Sequence, residues 1–503
     1  MTRLGFVLDQ RSCIGCHACT VACKVEHGVE LGVFRTWVKY IETGTFPDAQ
    51  RSFSVMRCNQ CSDAPCVEVC PVTALYKRED GIVDFDPERC IGCKACMNAC
   101  PYDALYIDPN SHTAAKCNFC AHRVDQGLKP SCEVVCPTQA IISGDLDDPA
   151  SRVSQLLDTV PSKVRAPEQG TGPNVFYLGV HEASIDPLAM AKAQAYMTEV
   201  APSQQEKLAP LLEEGTARAV ADVAHPPPWG WKVSSYFLTK GAAAGAMMLA
   251  VVLLVVGADG SALADVVPGL LALGGIAATG GFLLWDLKRP DRFHYLFFRP
   301  QWRSWLAIGT QVINVAALLA LAFTVAALAG ADGVVDVLRW ALLPAGAALA
   351  AYTAFLFGQC EGRDLWQSRL LLPHTITNAL VAGAGSLGIA ALVVDAPDAP
   401  VRALGWTLAV AAAASLAIAV ADAWGRHPTR QAERAAKNLR RDLYARRFFA
   451  GLALGFALPA LLAAAFLAAG GTGLLGLAGA SALAGLWLYE DAWVRAGQSV
   501  PLS

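Results

Sequence analysis

The chain has 503 residues, 54% of them hydrophobic and 17% charged, with a formal net charge of -3, and its mean hydropathy is +0.37. That is too apolar for an ordinary soluble enzyme and too close to charge balance for a protein that grips a polyanion, so a membrane protein without a nucleic-acid partner is expected. The composition is also divided: 16 of the 17 cysteines lie between Cys13 and Cys136, and almost every long apolar run follows Tyr236.

From Met1 to Ser12 there is no extended apolar stretch, no twin-arginine pair and no small-residue cleavage site, so no export signal is expected. The cysteines are then made in a reducing compartment, where clustered thiols are read as metal ligands in preference to disulfides. They fall into four tetrads: Cys13, Cys16, Cys19 and Cys23; Cys58, Cys61, Cys66 and Cys70; Cys90, Cys93, Cys96 and Cys100; Cys117, Cys120, Cys132 and Cys136. The first and third have the spacing C-x2-C-x2-C-x3-C, the second C-x2-C-x4-C-x3-C and the fourth C-x2-C-x11-C-x3-C.

In bacterial ferredoxins three closely spaced thiolates hold one face of a 4Fe-4S cube and a fourth, before a proline, reaches the neighbouring cluster. Pro71, Pro101 and Pro137 stand in that position, and Lys24 replaces the proline in the first tetrad. Four zinc sites are the alternative, but zinc ligands usually come as separated C-x2-C pairs, not as three cysteines in seven residues followed by one more. The short segment Val72 to Arg89 pairs the second and third tetrads, leaving the first and fourth to pair around them. Crossing the fourth ligands then predicts Cys58, Cys61 and Cys66 with Cys100; Cys90, Cys93 and Cys96 with Cys70; Cys13, Cys16 and Cys19 with Cys136; and Cys117, Cys120 and Cys132 with Cys23.

Residues 1 to about 150 resemble the four-cluster subunits of the complex iron-sulfur molybdoenzyme family, such as dimethyl sulfoxide and polysulfide reductases, and all 16 ligand positions match. Nitrate reductases in that family carry tryptophan at the second cysteine of the third tetrad and a 3Fe-4S cluster there. This chain has Cys93, so the resemblance implies four cubane clusters. Between tetrads, Gly81 to Asp86 and Ala104 to Ile107 alternate like small strands. Residues 151–230, with a helical pattern around Pro187 to Glu214 and three prolines at 226–228, are expected to form a surface strap leading from a domain at 1–150 to a membrane domain at 231–503.

A membrane-crossing helix needs about 20 mainly apolar residues, and eight runs qualify: Phe237 to Gly257, Val266 to Trp285, Ser304 to Leu328, Trp340 to Gly358, Ile376 to Val394, Leu404 to Val420, Phe448 to Ala469 and Thr472 to Tyr489. The expected fold is an α+β ferredoxin-like four-cluster domain fused to an all-α eight-helix transmembrane domain. Of the 20 Lys and Arg residues from Lys232 onward, only Arg339 and Arg402 fall in loops on the side away from the cysteine domain. Lys240 is counted with the cysteine-side loops. The positive-inside rule then places the iron-sulfur domain in the cytoplasm, on a bacterial inner membrane. The basic run Arg426 to Arg447 is expected to be a cytoplasmic helix at the lipid surface.

Trp285 to Phe293 with Ser304-Trp305, and Tyr352 to Leu356, resemble the corresponding segments of polysulfide-reductase-type membrane subunits. The resemblance implies four-helix bundles without haem and a quinone site near the clusters; relatives usually keep the two parts as separate chains. No histidine lies well inside the predicted spans, as an axial haem ligand would. Polar residues at the cluster-side edge are the quinone candidates, because intramembrane polar groups are costly and usually functional. These are Tyr236, Asp286, Arg289, His294, Tyr352, Trp366, His374 and Asn378. Asp286 and His374 are the acid-base types, and the resemblance suggests Tyr352 for a quinone carbonyl. Each has a plainer reading: Asp286 with Arg289 as a loop-fixing pair, Tyr352 and Asn378 as helix-to-helix hydrogen bonders, Trp366 as an interfacial anchor, and Cys360 as a small buried residue.

The resulting expectation is an electron-transfer subunit that links a separate catalytic subunit, carrying molybdopterin, to membrane quinone through four 4Fe-4S clusters. Two alternatives stay open: coupling to a hydrogenase, and a membrane anchor whose clusters serve only soluble partners. Proton pumping is not expected.

Overall fold

A computed structural model describes residues 2–44, 47–191, 217–257 and 260–503. Most of the helical pattern expected between Pro187 and Glu214 lies outside the described residues. The cysteine domain is built on two four-stranded sheets and two hairpins. In the first sheet, β1 (Leu4–Asp9) pairs in parallel with β10 (Val175–Leu178) and antiparallel with β8 (Ile141–Asp145), and β9 (Ser162–Lys163) closes the edge beside β10. The apolar run Phe6-Val7-Leu8 is fully buried because β1 is central and packed on both faces. The second sheet orders β11 (Met190–Ala191), β12 (Ala217–Ala221), β2 (Thr36–Thr43) and β3 (Gln50–Arg57).

These pairings correct the expected strap. Residues 151–230 contribute β9, β10, β11 and β12, so the domain does not end near residue 150; its first sheet is completed by a parallel partner far away in sequence. The short alternating segments form as expected: β5 (Val83–Phe85) pairs with β4 (Leu75–Lys77), and β6 (Leu105–Ile107) with β7 (Ala114–Lys116). Between the strands, α1 (Ala18–His27) follows the first cysteine loop and α2 (Arg152–Thr159) lies against β8 and β1.

The membrane domain contains α3 (Trp231–Val255), α4 (Val267–Asp286), α5 (Trp305–Leu328), α6 (Asp332–Gly358), α7 (Leu371–Ala390), α8 (Asp398–Trp424), α9 (Arg430–Arg440), α10 (Ala445–Ala469) and α11 (Thr472–Gly497). Seven of the described helices are long and apolar enough to cross a membrane: all of these except α7 and the short basic α9. Helix α7 falls short of that apolarity because it carries His374, Thr375, Thr377 and Asn378.

Helices α3 to α6 pack as one group, and α7, α8, α10 and α11 as a second; α3 joins the groups by lying against α7 and α11. A Cβ on Gly245 of α3 would run into the Ala379 carbonyl of α7, and one on Gly383 would strike the Gly245 backbone, so glycine lets these two helices touch backbone to backbone. Basic helix α9 forms, capped by the Thr429 hydroxyl, which accepts from the Ala432 N–H. Its apolar face, Ala432, Ala435, Ala436 and Leu439, is buried against protein and not on lipid.

Candidate functional site

The four tetrads lie in the connections between strands, partly on loops and partly on short helical segments, with Cys19 and Cys23 on α1. In the first and third, Cys-Ile-Gly-Cys-x-Ala-Cys repeats, and Gly15 and His17, like Gly92 and Lys94, have positive φ. That alternation wraps three thiols around one side of a loop. Gly92 has a second reason to lack a side chain: a Cβ there would press on the His112 carbonyl at 2.9 Å and on Lys288.

Thiols from different tetrads face one another. Cys61 and Cys66 interact with Cys58 and Cys100; Cys93 and Cys96 with Cys90 and Cys70; Cys13 with Cys136; and Cys23 with Cys117, Cys120 and Cys132. Cys70, Cys90, Cys93 and Cys96 line a cavity of about 380 Å³ together with Pro71, Lys94 and Ala114. Among the described residues no three His, Cys, Asp or Glu donors draw together tightly enough to hold a single metal ion.

The donor set fits an anionic iron-sulfur core. Backbone N–H groups point at sulfur: Ala74 to Cys70 at 3.1 Å, Ala140 to Cys136 at 3.2 Å, and Gly92 and Ala114 both to Cys90 at 3.4 Å. His27 Nε2 lies 3.2 Å from Cys120 Sγ, and Arg57 donates to Cys132 Sγ at 3.3 Å. Burial pushes the Cys61, Cys93 and Cys100 thiols up to about 12. Thiolates at these places need a bound positive centre.

The loops of the second and third tetrads sit on the membrane domain. Lys288 and Arg289 N–H groups donate to the Gly92 and Ile91 carbonyls, each at 3.2 Å, Gln301 N–H to the Pro71 carbonyl at 2.8 Å, and Ser304 Oγ to the Val69 carbonyl at 2.8 Å. Lys94, next to Cys93, forms a 2.7 Å ion pair with Asp286. Burial pushes the Lys94 ammonium down from its ordinary value and Asp286 opposes that shift. The segment from Trp285 to Trp305 is therefore the clasp that holds the cluster loops.

A second cavity, about 410 Å³, opens between α3, α7 and α11 and is lined by Phe237, Lys240, Gly241, Leu371, His374, Thr375, Asn378, Ala379, Tyr489, Glu490 and Trp493. Lys240, His374, Asn378 and Glu490 are 3%, 5%, 8% and 6% exposed. Among the described residues, His374 Nε2, Asn378 Oδ1 and Glu490 Oε2 have no hydrogen-bond partner. Lys240 Nζ donates to the Ala350 carbonyl at 3.1 Å and to Thr353 Oγ1 at 2.5 Å, and lies 5.1 Å from the centre of the Tyr352 ring. Three orphaned polar atoms on a wall that also carries Phe237, Leu371 and Trp493 suit a flat ligand with polar ends.

Of the sequence candidates, His374 and Asn378 come together here, with Tyr352 one layer behind Lys240. Asp286 does not line the cavity, being paired with Lys94; Arg289 pairs with Asp291 at 2.8 Å; and His294 is exposed beside Phe293 and Tyr295. Lys240, expected in a loop, is instead buried in the third turn of α3. Glu490 escapes a reading of apolar runs because it directly follows the one ending at Tyr489. A charged residue inside or abutting a span is the available signal for both.

Trp366 is no interfacial anchor. It is fully buried, 5.7 Å from Trp229 in a stacked arrangement and 6.1 Å from Trp493, with Phe357 against its edge at 4.5 Å. Trp229 Nε1 donates to the Cys93 carbonyl at 3.1 Å, and Trp493 lines the cavity. One wall of aromatic rings thus connects the third cysteine loop with the membrane cavity.

Residues 220–500 match the family described as polysulphide reductase, NrfD; residues 49–146 match a 4Fe-4S dicluster domain and residues 11–26 a 4Fe-4S binding domain. A tetrathionate reductase subunit of Salmonella typhimurium is 45% identical over 199 residues, covering 38% of this chain and 78% of that protein. The arsenate respiratory reductase iron-sulfur subunit ArrB of a Shewanella species is 38% identical over 226 residues, covering 35% and 96%. A polysulfide reductase polypeptide of Wolinella succinogenes is 41% identical over 177 residues, covering 35% and 93%.

Proposed function

Because this chain belongs to the polysulphide reductase NrfD family and carries a 4Fe-4S dicluster domain on the same polypeptide, we propose that it carries electrons between membrane quinone and a separate catalytic subunit holding molybdopterin. Helix α7 is the eighth span, and four 4Fe-4S clusters take the crossed ligand sets: Cys58, Cys61, Cys66 and Cys100; Cys70, Cys90, Cys93 and Cys96; Cys13, Cys16, Cys19 and Cys136; Cys23, Cys117, Cys120 and Cys132. The clusters supply one-electron transfer steps. The facing thiols and the N–H groups aimed at sulfur support this reading.

The observation that carries the quinone half is the aromatic wall running from the Cys93 carbonyl to a cavity edged by orphaned polar atoms. Asn378 and Lys240 position the ring oxygens, and Glu490 and His374 accept the two protons that leave as quinol gives up two electrons. Phe237 and Trp493 exclude water and hold the ring. The first and fourth tetrads face the catalytic partner. The basic residues of α9, of the first turn of α10 and of the loop around Arg289 support an orientation with the cluster domain on the cytoplasmic side of a bacterial inner membrane.

The test is anaerobic mixing of the oxidised protein in detergent with a menaquinol analogue, following bleaching of the cluster absorbance. Bleaching that saturates with quinol supports the proposal, and clusters that respond to dithionite but not to quinol would leave the chain as an anchor between soluble redox partners.

A further inference from the structure

Among the described residues Arg57, Lys116 and Arg165 are cations of the cluster domain buried without an ion pair; Arg165 donates to the Leu502 carbonyl and lies over the Tyr102 ring, which leaves Arg57 and Lys116 as the two set among the cysteines. Arg57 and Lys116 are both 0% exposed. Among the described residues neither forms an ion pair, and two of the three Arg57 guanidinium nitrogens have no hydrogen-bond partner. Lys116 Nζ donates to the carbonyls of Val83 and Cys117. A buried, uncompensated charge is among the most destabilising features a fold can carry, so such groups are retained where something nearby balances them.

What they face is sulfur. Arg57 lies over the Phe6 ring at 4.3 Å, donates to Cys132 Sγ, and is close enough to Cys117 and Cys19 to interact with both. It therefore stands between the thiols of the first and fourth tetrads. Lys116 interacts with Cys58, Cys61 and Cys66, and its contact with the Cys117 carbonyl ties it to the fourth tetrad. The two cations occupy successive junctions along the row of tetrads. The membrane-side set differs, because its neighbour Lys94 is neutralised by Asp286.

We propose that Arg57 and Lys116 are fixed countercharges for the iron-sulfur clusters, and that they raise the reduction potentials of the clusters beside them above that of the membrane-side cluster held by Cys70, Cys90, Cys93 and Cys96. A cubane held by four thiolates is anionic, and reduction adds a further negative charge; a cation in the same low-dielectric interior stabilises the reduced form more than the oxidised one. Electrons entering from the membrane then come to rest in the interior of the row, which favours flow from quinone toward the catalytic partner. This inference rests on the four-cluster reading and concerns which residues set its potentials.

The experiment is an EPR-monitored redox titration of the purified full chain with iron and sulfide analysis, comparing the wild type with Arg57→Met, Arg57→Lys, Lys116→Met and Lys116→Arg. In each methionine variant at least one signal should shift so that its reduced-to-oxidised ratio at fixed potential falls about tenfold or more, which for a one-electron couple is about 59 mV. The charge-conserving variants should restore the wild-type potentials, and the membrane-side signal should stay in place in all four. If a methionine variant loses iron while its charge-conserving partner is fully loaded, the countercharge role is supported. Fully loaded methionine variants with unmoved potentials, or charge-conserving variants that shift or lose iron as far as the methionine ones, would overturn it. A wild-type protein without iron would instead remove the cluster reading itself.

Discussion

Glu490→Gln is the most informative single substitution in the membrane domain. The glutamine keeps the volume of the side chain and an acceptor oxygen, so a ligand in the 410 Å³ cavity should bind nearly as before. It loses the ability to take a proton, and Glu490 Oε2 is one of three buried lining atoms without a hydrogen-bond partner among the described residues. A positioned general base contributes about 10²- to 10⁴-fold to rate. His374 Nε2 remains on the same wall as a second acceptor, so the loss should sit at the lower end, about 10²-fold. That corresponds to about 2.7 kcal/mol of barrier at about 1.36 kcal/mol per factor of ten. Stopped-flow reduction by a menaquinol analogue should show the maximal rate falling with little change in half-saturation, while dithionite reduces the clusters as in the wild type. A Glu490→Gln protein that oxidises quinol at the wild-type rate would refute the role given to this carboxylate.

Gly241→Leu adds a side chain where only ordinary contacts with Ala379 and Ala382 surround a Cβ, so it should fill the cavity and abolish quinol oxidation while iron content and dithionite reduction stay normal. Lys94→Met leaves the Asp286 carboxylate without its partner in a largely buried pair, 8% and 16% exposed, and should cost about 3 kcal/mol; thermal unfolding in detergent should recover most of that loss in the Lys94→Met, Asp286→Leu double variant. Trp366→Ala removes the fully buried centre of the aromatic wall, with an expected cost of about 3–5 kcal/mol and slower quinol-driven cluster reduction. Stripping the clusters with a chelator under oxidising conditions should lower the unfolding temperature of the cluster domain, because Arg57 and Lys116 then stand buried with no opposing charge.

How much of the protein is readable from its sequence depends on the range of the interactions concerned. Thiol spacing is local chemistry, so the tetrads and their neighbours Gly15, Gly92 and Pro71 can be recognised one loop at a time. Apolar runs are equally local, and every predicted span lies on a helix, with ends displaced by a few residues up to about two turns. The parallel pairing of β1 with β10 is invisible at that range because β10 is four residues long and its partner lies more than 160 residues away. The same limit hides the roles around the site. Asp286 and Arg289, read from the sequence as quinone candidates or as a loop-fixing pair with each other, hold the third cysteine loop through separate partners, Asp286 through Lys94 and Arg289 through its backbone N–H. Lys240 and Glu490 sit at the edges of apolar windows, and only the packing of α3, α7 and α11 brings them onto one wall with His374 and Asn378.

The link from quinol to the clusters is tested most directly by one anaerobic titration of the purified chain with a quinol analogue, with iron, sulfide and zinc measured on the same sample and the clusters counted by EPR. The expected result is about sixteen irons per chain, no stoichiometric zinc, and cluster signals that appear in step with added quinol. Zinc in place of iron, or a full set of clusters indifferent to quinol, would contradict it.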